Sequence, residues 1–400
     1  MRSLLCLLLF VILTVPVSAR DINLDEIYIR NSSSYLPRLI NAKLDTYLKV
    51  DALFVDSDVI FAGWVNGDEL VYIREIPGTQ KNILCRYNRR YGRRAELRRF
   101  DGAVTHARIS GNGRYLVIKR LIQRDRLIPE GELLVVNILS NSLTVLKSPS
   151  PFLDFTVSPD GGSLLQEGSG GIWETSFYTG MRRMTLKKGQ YRGILHSSNP
   201  SLAFLSPDGN KCLVINGGGG SYNGAILAGG GARKIRGITA SSEVWWIDNT
   251  QIAYRRGYTG NFSVVLHRLS DDTRRTLVDY SLNTNLHYSY QARMMSFLKD
   301  GIICLYGMGE RKLLRTGLEG EDISFDPNGQ YFTSLVFRKL FILNLGKVRR
   351  RQIEMKRSWG IILSLYEKLK LHTGEYENEY SGEYINRKVR LYRDLIRGAE

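Results

Sequence analysis

The chain predicts an all-β fold: a β-propeller of seven four-stranded blades, followed by a short C-terminal helical tail. Three observations predict it. A turn signature recurs along most of the chain, two apolar columns keep a fixed offset from that turn, and the copies are spaced by about the length of one blade.

The turn comes first. Its clearest copies are Phe155-Thr156-Val157-Ser158-Pro159-Asp160-Gly161 and Phe204-Leu205-Ser206-Pro207-Asp208-Gly209. Phe325-Asp326-Pro327-Asn328-Gly329 and Ile109-Ser110-Gly111-Asn112-Gly113 follow the same plan. Trp64-Val65-Asn66-Gly67 and Phe297-Leu298-Lys299-Asp300-Gly301 are weaker, and Trp245-Trp246-Ile247-Asp248-Asn249 lacks the glycine. Proline presets φ near −65°, Asp or Asn suits the next position, and Gly accepts the positive φ at which the chain reverses. One such turn is common in any β protein, but seven in one frame make a repeat.

The columns test the frame. Three residues after each turn stand Leu70, Leu116, Leu164, Cys212, Ile252, Cys304 and Phe332, all apolar or cysteine. Four residues before its end stand Gly63, Ile109, Val157, Leu205, Trp245, Phe297 and Phe325, and only Gly63 lacks a large side chain. Both columns fit the alternation of half-buried strands. The anchors are 46, 48, 48, 40, 52 and 28 residues apart, mostly within the roughly 40–50 residues of a four-stranded blade. One degenerate anchor and one short interval leave six or eight blades as alternatives. The Ser-Pro-Asp-Gly turns, followed by strands such as Lys211-Cys212-Leu213-Val214-Ile215, resemble the WD40-like repeats of TolB and the propellers of prolyl-oligopeptidase-type enzymes. The resemblance covers residues 55–345 and implies a propeller without implying an activity. The chain departs from both groups. No stretch ahead of the blades reads as the α/β domain of TolB, and none after them reads as a hydrolase domain.

Outside the blades, residues 1–19 read as a secretory signal: Arg2, the apolar run Leu4 to Val15 broken only by Thr14, then Pro16 and Val17-Ser18-Ala19 before a cut at Arg20. That run is shorter than the roughly 20 apolar residues a spanning helix needs; an uncleaved anchor is the alternative. The expected destination is the periplasm or the extracellular space. Residues 20–353 are assigned to the propeller, with Ile27-Tyr28-Ile29 as the strand expected to close the ring by pairing with the last one. Residues 354–400 form the helical extension. Ile362, Leu365, Tyr366 and Leu369, then Ile385, Val389, Tyr392, Leu395 and Ile396, fall at helical spacing, for packing on the propeller or docking a partner.

The formal net charge of +17 would ordinarily point to nucleic acid, but an exported protein rarely meets it. A protein partner, an acidic envelope component or an anionic membrane surface is expected instead. The densest basic run holds Arg89, Arg90, Arg93, Arg94, Arg98 and Arg99; a second, Arg349, Arg350 and Arg351, continues to Lys356 and Arg357. Arginine forks of this kind can bind carboxylates or phosphates, although most such runs are solvated surface.

Catalytic motifs are absent. The glycines from Gly217 to Gly231 lack Walker spacing and read as a loop between strands. His106, His196, His267, His287 and His372 are scattered, no C-x-x-C occurs, and no G-x-S-x-G elbow appears. No cofactor or metal is expected. Cys212 and Cys304 fall in one column of two non-neighbouring blades and, like Cys85, read as core rather than as a bridge. Asn31 and Asn261 head glycosylation sequons. The expected function is therefore a non-catalytic binding scaffold. The alternatives are a glycan lyase or hydrolase with residues gathered from several blades at the channel mouth, or a peripheral membrane protein held by its basic tail. A cluster of His, Tyr and carboxylates in the channel would favour the enzyme, and an exposed apolar patch would favour protein binding.

Overall fold

A computed structural model describes residues 50–398 except 123–129, 148–154, 196–200, 217–222, 230, 239–242, 259–260, 282–284, 300, 352–359, 361–362, 365 and 368–381. It shows seven four-stranded antiparallel sheets. In chain order the blades span residues 59–101, 103–147, 156–187, 201–236, 244–281, 287–319 and 323–344, the last completed by Leu53–Asp56. The signal segment, Ile27–Ile29, Asn31, Gly217–Gly220, His196, His372, Lys356 and Arg357 lie outside the described residues.

Ring closure follows the expected principle but uses a different strand. Leu53–Asp56 pairs antiparallel with Lys339–Asn344, the third strand of blade 7. Only Ser57 and Asp58 separate it from the first strand of blade 1, Val59–Trp64. Asp56 then ties the closing strand to blade 1: its carboxylate accepts the Tyr72 hydroxyl at 2.9 Å and pairs with Arg94 at 3.1 Å.

The core is divided into seven apolar wedges, one between each pair of neighbouring blades. Leu70, Val71, Tyr72 and Ile73, in the second strand of blade 1, are all fully buried. Leu70 and Tyr72 pack toward blade 7 with Leu340 and Ile342, whereas Val71 and Ile73 pack toward blade 2 with Leu116 and Ile118. The period of two survives, but each face meets another blade rather than water, so these strands are buried on both sides and not half-buried.

The register refines the columns. Ile109 pairs with Leu116, Val157 with Leu164, Leu205 with Cys212 and Phe325 with Phe332. In blades 1 and 5 the turn is one residue shorter, and the partners are Trp64 with Leu70 and Trp246 with Ile252, not Gly63 and Trp245. In blade 6 the Lys299-Asp300-Gly301 turn joins the second and third strands, so Phe297 and Cys304 belong to a different frame. The equivalent pair is Tyr288 with Met295. That displacement produced the long and short intervals, and blade 6 has all four strands. Cys304 and Cys212 therefore do not share a column, yet Cys85, Cys212 and Cys304 are all free and buried.

The serine of the motif caps its own turn. Ser110, Ser158 and Ser206 each accept, through Oγ, the backbone N–H five residues on at 2.9 Å, and Asp326 does the same for Tyr331 at 2.6 Å. Glycine allows the turns to crowd: a Cβ at Gly111 would stand 2.7 Å from the Pro159 carbonyl of blade 3.

Of the described helices outside the repeat, two pack on the blades at their flanks. α1 (Lys188–Leu195) packs Tyr191, Ile194 and Leu195 into the wedge between blades 3 and 4 and is fixed by Glu167, which accepts the Tyr191 hydroxyl at 2.8 Å. α2 (Gly382–Gly398) buries Val389, Leu391 and Tyr392 and lies on the outermost strand of blade 6, where Arg315 donates to the Asp394 carbonyl. Tyr392 stacks on Tyr366 at 5.8 Å. This half of the tail packs on its own propeller.

Candidate functional site: the rim of blades 1 to 3 and the central channel

Antiparallel blades place the turns between first and second and between third and fourth strands on one face of the ring, here called the turn face. The first basic run occupies the turn between the third and fourth strands of blade 1 and the fourth strand itself, Arg93–Asp101. Most of its charges are engaged internally. Arg89 pairs with Asp68 at 2.5 Å and lies 3.9 Å over the Tyr331 ring. Arg94 binds Asp56 and the Val55 carbonyl, Arg98 donates to the Asn141 carbonyl of blade 2 at 2.6 Å, and Arg99 pairs with Glu96 at 2.6 Å. Arg90 and Arg93 are exposed and flank Tyr91, at 5.8 and 6.0 Å from its ring. In the second run Arg349 faces Glu310 at 3.3 Å, Arg350 is exposed and Arg351 is half-buried. The two runs are not brought together into one site.

The blade 1 turn belongs to a larger arc that the sequence reading missed. The equivalent outer turns of blades 1, 2 and 3 expose Tyr91, Leu139, and Tyr178 with Met181, each more than half accessible. Neighbouring blades touch beside these turns. Arg98 reaches from blade 1 to Asn141 of blade 2, and Tyr115 of blade 2 meets Tyr178 of blade 3 edge-on at 5.7 Å, with Arg114 5.9 Å over the same ring. Arg182 runs the other way, stacked 4.6 Å over Trp173 toward Gly168 and the opposite face. The corresponding turns of blades 5 and 6 carry Asp271, Asp272 and Glu310 instead.

The innermost strands of all seven blades line a central channel of about 440 Å³. On the turn face it is crossed by a strut: Gln291 Nε2 of blade 6 donates to the Gly111 carbonyl of blade 2 at 2.7 Å. Within the lumen, Arg108 Nε donates to His106 Nε2 at 3.0 Å, and the Arg108 guanidinium lies 5.2 Å over Trp245. Trp245 Nε1 donates to the Leu286 carbonyl at 2.8 Å, and its ring is 6.0 Å from that of His287. His287 Nε2 contacts Asp322 at 3.0 Å, while Glu243 pairs with Arg255 at 3.1 Å. Burial, reinforced by Tyr288, holds the Tyr290 phenol far above its ordinary range, so it can donate a hydrogen bond but cannot serve as a base near neutral pH. Burial also raises the Asp326 carboxyl. Two of the scattered histidines thus meet in one lumen, together with a tyrosine and carboxylates. Among the described residues, no group of three or more His, Cys, Asp or Glu is placed to hold a metal ion, and no helix is long and apolar enough to cross a membrane.

These features define a seven-bladed β-propeller. No protein-family model matches the chain, and no curated protein matches it. Among solved structures it is similar to Kuenenia stuttgartiensis hydrazine synthase, at 13% identity over 73% of this chain and 96% of that chain with a TM-score of 0.50. A chain of the mitotic checkpoint complex gives 13% identity, 74% and 90% coverage and a TM-score of 0.51. An oligogalacturonate lyase in complex with manganese gives 12%, 74%, 91% and 0.50. Likenesses this distant establish the propeller and nothing of its activity.

Proposed function

We propose that this chain is an exported, non-catalytic, TolB-like propeller that binds an acidic protein partner through the outer turns of blades 1 to 3. The observation that carries the reading is the arc of Tyr91, Leu139, Tyr178 and Met181, interleaved with Arg90, Arg93 and Arg114. Exposed aromatic and methionine side chains beside arginine have the composition of interface anchors. Exposed apolar groups at three successive turns exceed the single scattered hydrophobes of an ordinary surface. The arginines select an acidic surface and steer it on approach. A flat anionic membrane fits less well. It would cover the whole turn face and meet Asp271, Asp272 and Glu310, whereas a protein can sit on one arc. The signal-like pattern of residues 1–19 supports export.

A photo-crosslinking amino acid placed at Tyr91, Leu139 or Tyr178 should give one common, salt-sensitive adduct in cells that make the protein, and none when placed at Asp271. Loss of the rim adducts, or the same adduct from Asp271, would refute the reading. Vesicle binding abolished by Tyr91→Ser and Met181→Ser would replace it with the membrane reading. The glycan-enzyme reading has one observation in its favour, the meeting of His106, His287, Tyr290 and Asp322 in the channel. Glycan cleavage that is lost in His287→Ala would establish it.

A further inference from the structure

We infer that the partner seated on the rim is a second copy of this chain, bound through its acidic, tyrosine-bearing stretch from Glu375 to Tyr380. This rests on the acidic-partner reading above and names the partner. The rim suits a ligand of mixed character. Arg90 and Arg93 are exposed and flank the Tyr91 ring at 5.8 and 6.0 Å. Arg114, also exposed, lies 5.9 Å over the Tyr178 ring. Leu139 and Met181 add exposed aliphatic and thioether surface. Positive charge thus stands against aromatic faces with apolar groups beside it. A segment that satisfies both carries carboxylates and flat apolar side chains in close alternation.

This chain holds such a segment, Glu375-Tyr376-Glu377-Asn378-Glu379-Tyr380, and no lysine or arginine stands between Lys370 and Arg387. When it is extended on the rim, Glu375, Glu377 and Glu379 fall on one side and Tyr376 and Tyr380 on the other. The glutamates then meet the arginines, and the tyrosines meet Leu139 and Met181. Another acid-rich run, Glu319 to Asp326, serves the fold: Asp322 contacts His287 at 3.0 Å, and Asp326 caps its own turn. Each copy has a formal net charge of +17, so two copies associate only where an acidic surface faces the arginines.

Reach assigns the contact to a second copy and not to the same one. Glu367 is tied to α2 by Arg393 at 2.6 Å, and α2 begins at Gly382 on the outermost strand of blade 6. Both ends of residues 368–381 are therefore held at blade 6, and a loop of that length extends no more than about 25 Å from its ends. In a ring of seven, blades 2 and 3 stand opposite blade 6. Four strands about 4.8 Å apart make a blade about 15 Å wide, so reaching the far outer turns takes about 30 Å before the channel is added.

Photo-crosslinking in the purified full chain tests this. Isotopically light and heavy copies, each with the photo-reactive residue at Tyr91, are mixed, irradiated and digested with trypsin. The expected adduct joins the Tyr91 turn of one copy to the peptide of residues 371–387 of the other, so mixed light–heavy pairs appear. Sedimentation should show association that grows with protein concentration and fades as salt is raised. Glu375→Gln, Glu377→Gln and Glu379→Gln together should weaken it at least about tenfold, the combined scale of three exposed ion pairs. Arg93→Glu should weaken it as well, and mixing it with the triple variant should restore one contact, since each supplies what the other lacks. Circular dichroism checks that the variants are folded. Light–light and heavy–heavy adducts alone, adducts outside residues 371–387, or unchanged association of the folded triple variant would each overturn the inference. A different protein captured at Tyr91 in cells, with no adduct between purified copies, would overturn it and leave the acidic-partner reading in place. No salt-sensitive adduct in either setting would overturn both.

Discussion

Removing the Asp56 carboxylate should loosen the ring at its seam. The closing strand has only four residues, and Leu53 and Phe54 at its outer end are exposed, so backbone pairing, Val55 and the half-exposed Phe54–Phe341 ring contact hold it weakly. Asp56 adds a buried carboxylate that accepts from Tyr72 Oη and Ser57 N, each at 2.9 Å, and pairs with Arg94 at 3.1 Å. In Asp56→Ala the Tyr72 hydroxyl, on a fully buried ring, loses its acceptor at a cost of about 1–3 kcal/mol. Arg94 is nearly half exposed and re-solvates, so its lost pair adds no more than about 1 kcal/mol. The expected loss is about 1–4 kcal/mol. It is read as a lower urea midpoint at unchanged m-value, with faster amide exchange confined first to Leu53–Asp56. Tyr72→Phe removes the orphaned hydroxyl, so the double variant should be less destabilised than the sum of the singles. A change below about 0.5 kcal/mol in Asp56→Ala, with exchange at the seam unaltered, would refute the reasoning.

Three further outcomes follow from the turns and the core. Burial raises the folded-state pKa of Asp326, so its charged form is disfavoured in the fold and stability falls as pH rises from about 4 through that raised value. Asp326→Ser keeps the cap seen at Ser110, Ser158 and Ser206, and should abolish this slope and equal or exceed the parent by about 1 kcal/mol at pH 7, measured by urea midpoints from pH 4 to 7. Gly113 and Gly209 share a positive φ, at 69° and 71°, but a methyl at Gly113 would strike the Val65 carbonyl while Gly209 has open space. Gly209→Ala should therefore cost about 1–2 kcal/mol and Gly113→Ala clearly more, by thermal or urea unfolding. Burial pushes the Cys212 thiol up to about 12 and raises that of Cys85, so Cys85, Cys212 and Cys304 should resist a thiol reagent at pH 8 until the protein is unfolded.

The propeller was legible because turn chemistry is local. Proline, an Asx residue and glycine act within four positions, so six of seven turns between first and second strands could be placed by eye. The failure in blade 6 is equally local. Its true turn, Tyr290-Gln291-Ala292-Arg293, contains no glycine, and Arg293 itself takes a φ of +50°, while the Asp-Gly one strand later imitates the motif. The closing strand was missed for the opposite reason. A two-residue link such as Ser57-Asp58 normally announces a hairpin, but Leu53–Asp56 turns away from its sequence neighbour and pairs some 280 residues away. Helix α1 was hidden by length, since eight residues show Tyr191, Ile194 and Leu195 only once.

The channel was illegible for a physical reason that also shows how to find it. Arg108, Trp245, His287 and Asp322 are separated by scores of residues and belong to four blades, so no spacing rule joins them. Each nevertheless lies on, or just before, the innermost strand that leads into a turn of the repeat. The turn is therefore a ruler: the first strand is the one nearest the axis, so the lumen side chains are found among the polar and aromatic residues within about six positions ahead of it. In the corrected frame that set includes His106, Arg108, Glu243, Trp245, Asn285 and His287, all of which line the channel. The rim obeys a companion rule, since the same frame locates the outer turns at Tyr91, Leu139 and Tyr178. In a propeller the repeat that builds the ring also addresses every site on it, and the chemistry is found by asking which blades depart from the apolar consensus at the same address.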